Sequence, residues 1–316
     1  MCTAISYQTK SHYFGRNLDL ERGYGESVVI TPRHYPLPLR HLPPMNEHYA
    51  MIGTAAVADD YPLYFEATNE MGLSIAGLNF PDNAHYADVA EGCDNVASFE
   101  LIPYLLGRYA SVNEVRCALE KVRVVTTNFS EALPTSPLHW LISDASCSLT
   151  LECTADGMKV YDNPFGVLTN NPTFDYHRTN VSNYMHLHEG PLANRLGDGL
   201  PVGNYSLGMG ALGLPGDFSS ASRFVRAVFV KQTSVCDGSE CESVHQFFHI
   251  LSSVAMPRGC VLSHDGQYEY TRYSSCCNTN TGVYYYTTYE DRSIRQVALH
   301  SVDLSSDSLY SYPMNQ

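Results

Sequence analysis

The sequence predicts an α+β fold in which sheets pack on each other beneath outer layers of helix. Three observations lead there. Period-2 alternation dominates the first 80 residues. Helix-period blocks then interrupt it twice, and strands return after each block. Segregated helical blocks argue against a simple βαβ alternation, in which a helix would follow every strand.

Each element has its own signal. Thr3–Tyr7 and His12–Leu18 alternate and lie close enough to form a hairpin. Ser27–Thr31 and Met51–Val57 read as further strands. Leu63–Thr68 and Leu73–Leu78 flank Asn69-Glu70-Met71-Gly72, a turn-like segment ending in glycine. The period then changes. Phe99, Ile102, Leu105, Leu106 and Tyr109 fall on one helical face, and Val112, Val115, Leu119 and Val122 on a second. Ser98 and Ser111 are the expected N-caps. Strands resume at Leu138–Ser143, Ser148–Cys153 and Met158–Tyr161, the last two joined by an Asp156-Gly157 turn. Ala221, Phe224, Val225, Val228 and Phe229 make one helical stripe, and Val244, Phe247, Phe248 and Leu251 another. The chain closes with strands at Tyr268–Ser274, Gly282–Thr288 and Ser293–Leu299. No linker or low-complexity break divides it, and Arg33–Pro44 reads as a Pro- and His-rich surface loop. One domain over residues 1–316 is expected.

Composition excludes several functions. With 44% hydrophobic and 16% charged residues, the chain is an ordinary globular one. Its 19 basic and 33 acidic residues give a net charge of −14. Nucleic acid and anionic membrane surfaces are therefore poor partners. The absence of an export signal and of any long apolar run points to the cytoplasm, where the 10 cysteines would be reduced thiols. Cys236 and Cys241, and the adjacent Cys276 and Cys277, lack the spacing of a zinc site, so no metal is expected. Gly208-Met209-Gly210-Ala211-Leu212-Gly213 matches a dinucleotide fingerprint by spacing alone. Leu214-Pro215-Gly216 breaks any helix opening there, so no cofactor is expected either.

The most informative residue is Cys2. Removal of Met1 would place a free α-amine and a thiol on one residue, and both titrate near neutral pH, at about 7.7–8.0 and 8.5. An N-terminal nucleophile activated by its own amine is one solution to covalent catalysis. The hairpin returns Phe14-Gly15-Arg16-Asn17-Leu18-Asp19 alongside Cys2. Alternation puts Arg16 and Leu18 on one face and Asn17 and Asp19 on the other, unless a bulge or strand end unites Arg16 and Asp19. An arginine near a thiol favours the thiolate. On spacing alone, a surface Arg–Asp pair is the competing reading.

Met1-Cys2-Thr3-Ala4 with Gly15-Arg16-Asn17-Leu18-Asp19 resembles the start of the choloylglycine hydrolases. These N-terminal nucleophile amidases include bile salt hydrolases and penicillin V acylases. The resemblance continues in order through Asp60-Tyr61-Pro62, Asn69–Leu73, Ala76–Phe80, Leu138-His139-Trp140, Gly166–Phe174, Leu214–Asp217 and Ser222-Arg223-Phe224. It implies the four-layer αββα sandwich of the N-terminal nucleophile hydrolase type. It implies Cys2 as nucleophile with its amine as base after Met1 removal, and Arg16 and Asp19 beside the thiol and amine. Asn79, as part of an oxyanion hole, with Asn170 and Arg223, completes the implied catalytic set. None of the 13 histidines is called upon. Asn79 resembles the bile salt branch, because the penicillin acylase branch often carries tyrosine there. The implied substrate is a conjugated bile acid, cleaved at its amide to glycine or taurine, which places the enzyme in lipid metabolism. Leu18, Tyr24, Phe129, Leu133 and Leu138 are candidate liners of an apolar substrate pocket, with ordinary core packing as the alternative for each. The family also implies a homo-oligomer, a tetramer. Two alternatives share these residues: an acylase for penicillin V or acyl-homoserine lactone, and a steroid-binding protein without turnover.

Overall fold

The computed structural model describes residues 1–314. In chain order it contains β1 (Cys2–Gln8), β2 (His12–Leu20), β3 (Ser27–Thr31), β4 (Met51–Ala58), β5 (Tyr61–Asn69), β6 (Ser74–Asn79) and β7 (Asp94–Ala97). The helices α1 (Leu101–Arg108) and α2 (Val112–Ala118) follow, then β8 (Val122–Val125), β9 (Leu138–Ser143), β10 (Ser148–Thr154), β11 (Gly157–Asp162) and β12 (Val167–Leu168). Next come α3 (Phe174–Asn180), α4 (Ser220–Thr233) and α5 (Glu240–Ser252). The chain ends with β13 (Val261–Leu262), β14 (Tyr268–Asn278), β15 (Val283–Thr288), β16 (Arg295–Ala298) and β17 (Tyr310–Pro313).

Two antiparallel sheets carry the fold. The first runs β12-β1-β2-β14-β15-β16, with β13 paired to β14, and the second runs β11-β10-β9-β6-β5-β4-β3-β17. Side-chain alternation sorts the second sheet into two cores. Val28, Ile30, Ile52, Ala76, Leu78 and Leu141 join the core shared with the first sheet. Their neighbours Val29, Met51, Ile75, Trp140 and Ile142 join the core beneath α1 and α2. On the far side, Phe224 of α4 and Phe247 of α5 pack against the first sheet. The result is the four-layer αββα sandwich. No helix among the described residues is long and apolar enough to cross a membrane.

Most expected elements are present, with corrections at their edges. Ser111 caps α2 by accepting from Glu114 N. Ser98 is not a cap: it lies inside a 3₁₀ turn, Ser98–Glu100, through which the chain enters α1. There Glu100 takes the capping role, its carboxylate accepting the Ala97 N–H at 3.1 Å. The second helical stripe stops at Ala118, and Val122 opens β8, which pairs in parallel with β7. The β-branched run Val122-Arg-Val-Val explains the change. The strand expected at Tyr268–Ser274 continues to Asn278. Gly72, with φ +89°, closes the Asn69–Gly72 turn. The Gly208 segment forms a single 3₁₀ turn, Met209–Ala211, without the strand and helix a dinucleotide site needs.

Candidate active site

Cys2 opens β1 opposite Leu18 of β2 and is buried. Met1 precedes it. The Met1 ammonium donates to Asp19 O at 2.7 Å and pairs with Glu269, so the Cys2 nitrogen is here an amide. Burial lowers the Met1 amine pKa, against the raising influence of Cys2 and Asp19.

Asn170, just beyond β12, is the hub. Its Oδ1 accepts from Cys2 N and from Arg223 Nη2, each at 2.7 Å. Its Nδ2 donates to Asn79 O at 2.7 Å, and its backbone N–H donates to Ser220 Oγ at 2.8 Å. Arg223, fully buried on α4, donates to Cys2 O, to Thr3 Oγ1 at 2.7 Å and to Phe218 O at 3.0 Å. Burial lowers its pKa, while Asp19 and Cys2 oppose that shift.

Arg16 and Asp19 reach this centre from opposite faces of β2. Arg16 points between the sheets and donates through Nη1 to Phe65 O at 3.0 Å and to Gly77 O. Burial opposes its charge, yet Cys2, Tyr273, Glu66 and Asp19 together hold the guanidinium above its ordinary range. Glu66 is buried as well and accepts from the hydroxyls of Tyr273, Ser275 and Tyr284. Asp19 accepts from Thr271 Oγ1 at 2.6 Å. Its pKa is raised by burial, against the pull of Arg223, the N-terminal ammonium, Thr271 and Arg16. A register shift between Thr271 and Tyr273 in β14 falls opposite Asp19 and Leu18. Two charged atoms at this centre, Arg16 Nη2 and Asp19 Oδ2, are buried without a hydrogen-bond partner among the described residues.

The structure thus brings Cys2, Arg16, Asp19, Asn79, Asn170 and Arg223 together. The candidate liners divide. Leu18 faces Cys2 across the β1–β2 ladder, and Leu138 pairs with Asn79. Tyr24 is 42% exposed and leans on Phe65 with ring centroids 6.4 Å apart. Phe129 and Leu133 share one loop, tied by Phe129 N to Leu133 O at 3.1 Å. Phe129 packs on Tyr61 and Phe99 against the core beneath α1 and α2, whereas Cys2 belongs to the core between the sheets. Sequence reasoning missed Ser220, Thr271, Glu66 and the buried residues His139, Glu152 and His177. The signal for Glu66 and Glu152 was present: each is the one charged residue inside a mostly apolar and hydroxyl-bearing strand.

The chain matches the family described as linear amide C–N hydrolases, choloylglycine hydrolase family, over residues 2–312. It is 51% identical over 314 residues to the bile salt hydrolase/transferase of Lactiplantibacillus plantarum, covering 99% of this chain and 97% of that protein. The crystal structure of the C2A mutant of conjugated bile acid hydrolase from Clostridium perfringens superposes with a TM-score of 0.92 at 35% identity, covering 100% of this chain and 97% of that one. Penicillin V acylase from Agrobacterium tumefaciens shares the fold, with a TM-score of 0.78 at 20% identity over 98% of this chain and 90% of that one. With its whole length matched and an asparagine, an arginine and a buried thiol gathered at its N-terminus, this chain belongs to the choloylglycine hydrolase family of linear amide C–N hydrolases.

Proposed function

We propose that the protein is a bile salt hydrolase that cleaves the amide bond of glycine- and taurine-conjugated bile acids through a Cys2 thioester. The observation that carries the chemistry is the shared Asn170 oxygen, which accepts from both the Cys2 nitrogen and Arg223. The substrate class rests on the 51% identity to a bile salt hydrolase/transferase.

In this reading Met1 is removed and the Cys2 nitrogen becomes an amine. Asn170 Oδ1 holds that nitrogen, and Asp19 Oδ2 is the buried acceptor available to it. The amine takes the thiol proton, and Arg16 favours the thiolate. Attack on the substrate carbonyl creates an oxyanion, for which the Asn79 side chain at the end of β6 is the donor. The protonated amine then gives its proton to the departing glycine or taurine nitrogen. Water, activated by the same amine, hydrolyses the thioester. Arg223 fastens the nucleophile strand by gripping Cys2 O, Thr3 Oγ1 and Asn170 Oδ1 together. Leu18, Tyr24, Phe129, Leu133 and Leu138 are the proposed steroid-contacting residues.

The reading treats residues 1–316 as one domain and places the enzyme in the cytoplasm, which the ten unpaired cysteines support. A homo-oligomer, a tetramer in the family's manner, is supported by the segment after α3, where Met185, Leu196, Tyr205 and Leu207 are each at least 80% exposed. A segment that exposes this many large apolar side chains is a candidate interaction surface.

The deciding experiment measures free glycine and taurine released from conjugates of one bile acid, beside hydrolysis of penicillin V. Both conjugates should be cleaved, at rates closer to each other than to that of penicillin V. Faster turnover of penicillin V than of every bile salt would replace this assignment with the acylase. Intact mass should show active protein beginning at Cys2, and full activity in Met1-bearing protein would exclude the amine as base.

A further inference from the structure

Two buried histidines donate to consecutive carbonyls at the Asn170 turn. His139 Nε2 lies 2.8 Å from Thr169 O, and His177 Nε2 lies 2.9 Å from Asn170 O. Neither ring is exposed. A carbonyl oxygen only accepts, so both Nε2 atoms carry hydrogen. His139 turns its other nitrogen, Nδ1, toward Glu152 Oε1 at 3.1 Å. The same Glu152 oxygen accepts the Phe174 N–H at 3.0 Å. Glu152 therefore grips the 169–174 turn at both ends, through His139 at Thr169 and directly at Phe174.

The geometry crosses between the sheets. His139 on β9 and Glu152 on β10 belong to the second sheet, while the turn they hold leaves β12 at the edge of the first. The His139 ring also stacks on Phe80, with centroids 4.1 Å apart and planes at 7°. Phe80 follows Asn79, whose carbonyl takes the Asn170 side chain. One pair thus braces both asparagines of the site. With Nε2–H committed to Thr169, His139 and Glu152 hold one further proton between them.

We propose that Glu152 and His139 are positioning residues for the amide hydrolysis: a buried strap that holds Asn170 Oδ1 against the Cys2 nitrogen. The proposal rests on the catalytic reading above, and neither residue touches substrate. Glu152→Gln tests it without changing side-chain size. The amide oxygen of that variant can still accept from Phe174. A neutral His139 donating to Thr169 would then face that oxygen with a lone pair, so one link of the strap must open.

Wild type, Glu152→Gln, Asn170→Ala and the double variant are compared with glycine- and taurine-conjugated bile acids and with penicillin V. Thermal melting confirms that each is folded at the assay temperature. Glu152→Gln should lower kcat about tenfold with KM changed less than threefold. In the Asn170→Ala background the same substitution should change the single-turnover rate less than twofold, because the residue it acts through is gone. A kcat loss under threefold in folded Glu152→Gln, or an equal loss in both backgrounds, overturns the strap. If Glu152→Gln does not fold, His139→Gln and His139→Ala decide. The glutamine variant keeps an N–H for Thr169 and should exceed the alanine variant at least threefold in kcat, and equal values overturn the proposal. Wild type separates the two readings. Cleavage of penicillin V alone ends the bile salt assignment, and the strap is then read on that substrate. If wild type cleaves no amide, the alkylation rate of Cys2 by iodoacetamide is read instead, and a change under threefold in Glu152→Gln overturns the strap.

Discussion

Arg223 shows how much one side chain determines here. Its fork reaches the Cys2 carbonyl, the hydroxyl of the next residue, the Asn170 amide oxygen and the Phe218 carbonyl. A lysine ammonium at the same place is a compact charge that cannot span these acceptors. Arg223→Lys should therefore fold but release at least one buried acceptor. Hydrogen bonds to charged groups contribute about 1.5–3 kcal/mol, a rate loss of roughly 10- to 150-fold. Steady-state kinetics beside a melting curve checks this, and wild-type kcat in Arg223→Lys would remove the clamp from the mechanism. Cys2→Ala should abolish turnover outright and Cys2→Ser nearly so, because a hydroxyl ionises far less readily than a thiol. An active Cys2→Ala enzyme would shift attention to the other nine thiols. At this scale the site was legible only because motifs lie in ordered blocks. Cys2, Arg16 and Asp19 could be placed from the hairpin. Asn170 and Arg223 are separated from Cys2 by 168 and 221 residues, and no local pattern could pair them.

At the scale of elements, the pairing of β2 with β14 depends on a close approach. Gly15 sits where a Cβ would lie 2.0 Å from Ser275 O and 2.6 Å from Ser275 C, both backbone atoms of β14. Neither atom can rotate away, so β2 and β14 would have to part, and Arg16 would move with them. Gly15→Ala should lose at least about 3 kcal/mol, at or beyond the upper end of ordinary overpacking. Chemical unfolding measures it, and a loss under about 1 kcal/mol, the lower end of that range, would mean that the strands yield. Elements with long, regular patterns were readable: β9 appears at its expected bounds, α5 buries its expected stripe, and α4 buries Phe224, Val225 and Val228 of its stripe while Ala221 and Phe229 stay half-buried. Short elements were not. β12 has two residues, and its place beside β1 is set by pairing with Ala4 and Ile5. β7 and β8 are four-residue strands that support each other 25 or more residues apart in sequence. The Ser98 cap failed because Glu100, bonded to both Ala97 N and Arg40 N, draws the chain into a 3₁₀ turn first. Tertiary contacts of this kind override local capping preference.

For the whole molecule, charge and burial set the response to salt and acid. The chain carries −14, and the proposed substrate, a conjugated bile salt, is itself an anion, so long-range attraction cannot recruit it. Raising salt should leave KM unchanged or lower it. Acid acts through buried histidines. Burial lowers His12 and His177 from an ordinary 6.5 to about 4. Each is then neutral in the folded protein while the unfolded chain takes up a proton. The stability each contributes is full above pH 6.5 and is lost as pH falls toward 4, at about 1.4 kcal/mol per pH unit per histidine. Asp19 and Glu66 act in the opposite sense. Burial raises both, so the stability tied to their protonated forms is present at low pH and lost as pH rises through their folded values. Asp217 and Asp291, lowered to about 2, lose their contribution only below the ordinary carboxylate range. From pH 6.5 downward the two histidines lose stability, and the raised carboxyls of Asp19, Glu66 and Glu100 oppose that loss. Unfolding of wild type and of a His177 variant, measured at half-unit steps between pH 6.5 and 4, isolates the share of one histidine. His177→Gln should begin less stable, having lost the ring stacked on Phe224, and should be less acid-sensitive than wild type by about one histidine's share. An unchanged slope in that variant would mean that His177 is protonated in the folded protein, and the neutral ring stacked on Phe224 at 4.8 Å would have to be abandoned as the state that supports Asn170.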